Sequence, residues 1–161
     1  RERILSNIAL TFAQMGLRDA ARDAALLVAG TAQDRSTRLT AMVNLMELAY
    51  GDGRELVFEQ YRRELAAEEL TPYLEVVYLE TCVAGLRTFG RGVEARHAAE
   101  RMLDVAERHG LNEFVLKAEA LVRDDDGASR TPAAVDPLPT SQSITIARAI
   151  TEMRIAAGLP G

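Results

Sequence analysis

Residues 71–111, TPYLEVVYLETCVAGLRTFGRGVEARHAAERMLDVAERHGL, carry two helices and the turn between them. The stretch opens on Thr71-Pro72, a hydroxyl able to cap a helix followed by a ring whose fixed φ suits the first turn. From there Leu74, Val77, Tyr78, Leu79, Cys82, Val83 and Leu86 recur at helical spacing, and the pattern stops near Gly90. A further helix spans roughly Gly92 to His109, with Gly110 placed as its left-handed cap. A turn this short forces the two helices antiparallel, so the stretch reads as a helical hairpin.

The same pattern extends to both sides. A first helix carries Leu5, Ile8, Ala9 and Phe12 and stops at Gly16. A second runs from about Arg18 to Val28, with Ala21, Ala25 and Val28 on one face, and ends at Gly30. A third follows Asp34 and Ser36, carries Leu39, Met42, Val43, Leu45, Met46 and Ala49, and breaks at Gly51-Asp52-Gly53. Leu56, Phe58, Tyr61 and Leu65 mark a fourth. The hairpin of 71–111 supplies the fifth and sixth. A seventh runs from Asn112 to about Arg123, with Phe114, Val115, Leu116 and Leu121. No stretch alternates with period two for long enough to be a strand, so the expected class is all-α. Pro132, Pro137 and Pro139 forbid a helix across the segment that follows. An eighth helix then begins at Ser141 or Ser143, with Ile146, Ile150, Met153 and Ala157 on one stripe and Gly158-Leu159-Pro160 as its stop.

The organisation lies in a period. Gly16, Gly53, Gly90 and Gly127 stand 37 residues apart. The first three fall at helix-to-helix turns, where glycine alone takes positive φ without strain. Repeats of this length mean a stacked array. Ala9, Phe12 and Gly16 resemble the tetratricopeptide repeat, in which a small residue, a bulky one three later and a glycine four after that close the first helix. Val83, Leu86 and Gly90 fit too, followed by Ala95, Ala99 and Met102 in the next helix. Met46, Ala49 and Gly53 reverse the sizes, and Arg62 stands where an apolar residue is expected. The period also departs from the family's usual 34 residues, and the chain has no Trp. The segment 90–111 resembles the longer variants of large bacterial transcription activators and signalling proteins.

That resemblance, which covers about residues 2–123, implies an α-solenoid: a short tetratricopeptide-like superhelix with an extra C-terminal helix. Its boundaries are 1–123 for the array (three hairpins plus a seventh helix), 124–142 for a Pro-rich arm and 143–158 for a capping or docking helix. An array ending near Val122 exposes an apolar flank, so Ile146, Ile150 and Met153 are expected to cover it. The alternative is that this helix docks on another copy and makes a homodimer. The resemblance also implies a ligand groove on the first helix of each hairpin: Arg3, Ser6 and Gln14, then Thr40, Glu47 and Tyr50, then Glu80 and Arg87, with Lys117 from the seventh helix. Tyr50→Ala and Arg87→Glu are expected to weaken a ligand while leaving the melting temperature nearly unchanged.

Composition narrows the function. The net charge is −5, whereas a duplex-binding face needs a surplus of Lys and Arg, so no direct nucleic-acid contact is expected. No run of eighteen apolar residues exists, which argues against membrane association and for a cytoplasmic protein. Cys82, the one cysteine, falls on an apolar face and reads as a buried, inert thiol. His97 and Glu100 share a helical turn but lack an evident third ligand, so neither a metal nor a cofactor is expected. Asp124-Asp125-Asp126-Gly127 fails the calcium-loop pattern, with Ala133 near where the closing Glu belongs. No phosphate loop, nucleophile elbow or zinc-protease motif occurs, and Glu68-Glu69 are adjacent and diverge on a helix. The expectation is a non-catalytic module binding a protein or peptide, cut from a longer protein. The alternatives are a ligand-sensing regulatory domain of a transcription regulator and an all-α enzyme of unrecognised type.

Overall fold

The computed structural model describes residues 11–12, 15–123 and 141–159, and every regular element among them is an α-helix. The elements are α1 (Arg18–Thr31), α2 (Arg35–Gly51), α3 (Glu55–Ala66), α4 (Pro72–Thr88), α5 (Gly92–Arg108), α6 (Asn112–Arg123) and α7 (Ser141–Ala156). They correspond to the second through eighth helices read from the sequence. Of the first, only Thr11 and Phe12 are described, and both are helical. Gly127 and the Pro-rich arm lie outside the described residues.

The helix ends follow local chemistry. Thr71 Oγ1 accepts from the Leu74 N–H at 3.4 Å, with Pro72 in the first turn. Asp34 caps α2 by accepting from the Thr37 N–H at 2.7 Å. Gly16, Gly53 and Gly90 take φ of 71°, 68° and 73°. Around each, the same backbone bond closes the turn: Leu17 N–H to Phe12 O at 2.9 Å, Arg54 to Ala49 at 2.8 Å and Arg91 to Leu86 at 2.8 Å. The next helix then starts identically, with Ala21, Phe58 and Ala95 each donating at 3.0 Å to the residue after the glycine. Gly110, off the 37-residue spacing, closes its turn in the same way, with φ 66° and Leu111 N–H to Ala106 O at 2.9 Å, so the geometry is that of a general glycine C-terminal turn.

The chain divides into two units, 1–48 with 133–161, and 49–132. In the first unit, Val28 of α1 packs with Ala32 and with Ala41 of α2, and a row of small residues (Ala20, Ala21, Ala24, Ala25) is buried along α1. α7 docks on α1. The stripe expected on this helix, Ile146, Ile150 and Met153, is buried only in part. Ile150 is buried, but Ile146 is 47% and Met153 36% exposed. The physical cause is Asp23, a carboxylate only 4% exposed on α1. A buried charge needs a partner. Arg154 Nε stands 2.7 Å from Asp23 Oδ1, and Thr151 Oγ1 donates to Oδ2 at 2.6 Å. α7 is thus rotated to present Thr151 and Arg154 to α1, which turns the flanking apolar residues outward.

In the second unit α4 touches α3, α5 and α6, and α5 also packs on α6. Phe58, Leu65, Val76, Val83, Leu86, Met102 and Val105 are fully buried. Gly85 permits the closest approach: a Cβ there would fall 2.2 Å from the Phe58 ring. That ring also meets Tyr50 edge-on at 6.3 Å and Phe89 at 5.5 Å.

Candidate functional site

Of the nine groove residues, Arg3, Ser6 and Gln14 lie outside the described residues. Thr40 and Glu47 are exposed on α2, and the Thr40 hydroxyl donates to the Ser36 carbonyl at 2.9 Å. In the second unit, Glu80, Arg87 and Lys117 come together across α4 and α6. Lys117 Nζ stands 3.3 Å from Glu80 Oε1 and 5.0 Å from the centre of the Phe114 ring. Arg87 Nη2 donates to the Leu121 carbonyl at 2.5 Å. That carbonyl is among the last four of α6, which have no partner within the helix. Arg87 therefore caps α6, and Tyr50 is half-buried against Phe58. Both side chains thus have structural partners that the sequence reading did not assign to them.

A second constellation, which the sequence did not place, surrounds Arg62. The residues 37 positions before and after it in sequence, Ala25 and Ala99, are both buried to 1% exposure or less. The Arg62 guanidinium is held by a carboxylate, that of Glu59, one turn earlier. Arg62 Nε and Nη2 reach Glu59 Oε1 and Oε2, each at 2.9 Å. Arg91 Nη1 joins Glu59 Oε1 at 2.5 Å, while its Nε and Nη2 hold Glu94 at 2.7 and 2.6 Å. The Tyr78 hydroxyl donates to the Arg62 carbonyl at 3.0 Å. The one sequence signal of this site was Arg62 itself, the charge that broke an apolar pattern.

Charge and burial compete at these groups. Burial alone pushes the Glu59 carboxyl up, but hydrogen bonds from Arg62 and Arg91 hold it below its ordinary value. The hydrogen bond to Glu59 raises Arg62 further above its already basic value. Burial pushes the Cys82 thiol up to about 11, with the Tyr78 hydroxyl and Arg62 pulling it back only in part. The thiol is buried and protonated near neutral pH, so it is a poor nucleophile.

Over this network lies a pocket of about 240 Å³ between α3, α4 and α5. Its floor is Leu79, Cys82, Leu86 and Ala98, and its rim is Arg62, Glu94, His97 and Arg101. Arg101 donates from Nη2 to Glu75 at 2.8 Å. His97 is exposed on the rim, and His109 is exposed at the end of α5. Among the described residues, no three His, Cys, Asp or Glu side chains are grouped to hold a metal ion. No described helix is long and apolar enough to cross a membrane. No protein-family model, curated protein or solved structure matches the chain.

Proposed function

We propose that the chain is a tetratricopeptide-like repeat domain, one part of a longer cytoplasmic protein, that binds a partner protein or peptide without catalysis. The observation that supports this reading is the spacing of Gly16, Gly53 and Gly90, 37 residues apart and each at a helix-to-helix turn with the same backbone bonds, a closure that Gly110 also makes off that spacing. In repeat proteins, recurring turns of this kind go with stacked hairpins whose surfaces serve recognition. The Glu80–Lys117 pair, joining α4 to α6, belongs to the first-helix face and gives it the mixed charge that suits a polar peptide.

Glu80 and Lys117 are 38% and 51% exposed, and exposed pairs contribute at most about 1 kcal/mol. Lys117→Glu therefore leaves the fold nearly as stable as before and reverses the charge offered to a ligand. Peptides selected from a random library against the full chain are the probe. Loss of at least tenfold in affinity on Lys117→Glu supports this face; unchanged affinity moves the site elsewhere. A library without saturable binders removes the peptide reading.

The pocket favours a second reading, in which the domain senses a small molecule and regulates an attached effector. Its small volume and polar rim suit a metabolite-sized ligand better than a peptide backbone.

A further inference from the structure

We infer that the Arg62 pocket binds a free small organic carboxylate. This gives the second reading its ligand; binding itself is measurable on this chain alone, so it stands even where no regulated effector exists. Three observations carry it.

The first is the departure from the repeat. Ala25 and Ala99, 37 positions before and after Arg62, are buried methyl-bearing residues, so on the repeat reading an arginine at 62 is not a requirement of packing. Local rules are most often broken where a protein has work to do. Arg62 remains partly accessible, with 28% of its side chain exposed, and it lines the pocket.

The second is the hydrogen-bond balance. Both oxygens of Glu59 and both of Glu94 are engaged by guanidiniums of the same network. The donors are not used up. Arg62 spends Nε and Nη2 on Glu59, and Arg101 spends Nη2 on Glu75. Among the described residues, Nη1 of each guanidinium and Nε of Arg101 make no hydrogen bond, and the His97 ring at the same rim makes none. A guanidinium carries five N–H donors and no acceptor. None of these donors is buried without a partner, so they are open to solvent and to an incoming acceptor, and a planar oxyanion matches the guanidinium fork.

The third is the floor. Leu79, Leu86 and Ala98 offer hydrocarbon, with the Cys82 thiol protonated beneath. Inorganic phosphate has no carbon body to cover that floor, whereas a short-chain acid has both parts. At about 240 Å³ the pocket lies below the usual ~300–1,000 Å³ of drug-sized sites, which limits the ligand to a small acid.

Isothermal titration of the full chain with hexanoate, hexanamide and inorganic phosphate tests the inference. Hexanoate is expected to bind saturably, with the amide and phosphate at least about tenfold weaker, the scale of one hydrogen bond to a charged group. Arg101→Gln removes an exposed guanidinium from the rim and is expected to weaken hexanoate at least tenfold with the melting temperature nearly unchanged. Arg62→Gln is expected to lose binding as well, and Arg101→Gln keeps the test independent of any folding defect in that variant. Equal binding of hexanoate and hexanamide would overturn the inference, as would unchanged affinity in Arg101→Gln or no saturable binding of hexanoate. A blocked tripeptide with a central glutamate, if it bound tenfold tighter than hexanoate while its glutamine counterpart did not bind, would assign the carboxylate to a partner's side chain and overturn the free acid.

Discussion

Glu59 shows how one side chain is set by opposing effects. Its side chain is 11% exposed, which disfavours the charged form, yet two guanidiniums make the charged form the stable one. Its folded value lies below the ordinary 4.5, so its contribution to stability is present above pH 4.5 and is lost as pH falls through the folded value. Glu59→Gln is expected to cost about 2 kcal/mol at pH 7, the worth of a hydrogen bond to a charged group. The difference from wild type should shrink below pH 4.5, measured by urea unfolding across pH. A constant difference from pH 7 to pH 3 would mean that the carboxylate charge does not matter. Arg62 was legible as an anomaly in the sequence, but Arg91 was not, because it lies 32 residues from the carboxylate it serves.

At the scale of the element, the glycines separate into kinds that look alike in sequence. Gly90 ends α4 with φ 73°, and a Cβ there would meet nothing within 4 Å, so the constraint is the backbone. Gly92 opens α5 with open space around it and no positive φ. Gly90→Ala is expected to destabilise by about 1–2 kcal/mol, the strain of a left-handed L-residue. Gly92→Ala is expected to be neutral or to stabilise by up to ~1 kcal/mol, by restricting the unfolded chain. Thermal unfolding of the two variants reads the contrast, and equal effects would show that the turn does not depend on its φ. The helices themselves were readable, with α4, α5 and α6 within a residue or two of the expected bounds. Capping residues and apolar spacing act within one or two turns, and that is the range a sequence pattern covers.

At the scale of the whole chain, Asp23 joins α1 to α7 across 128 residues of sequence at Thr151 and further still at Arg154. Asp23→Ala leaves Arg154, with 15% of its side chain exposed, facing α1 without its carboxylate. Removing one partner of a buried pair costs about 3–5 kcal/mol. The expected outcome is faster amide exchange throughout 141–156 with that loss of stability, and unchanged exchange would show that Ile150 holds α7 alone. The sequence by itself determined the helical class, the hairpin turns at Gly16, Gly53 and Gly90, and the ends of most helices. These depend on the conformational freedom of single residues and on neighbours three or four positions away. Only the tertiary structure decided that α7 docks on α1, that Arg87 caps α6 and that Arg62 sits over a pocket. Each of those answers is set by which buried charge or orphaned carbonyl a distant helix can satisfy, and that requires all the helices to be packed at once.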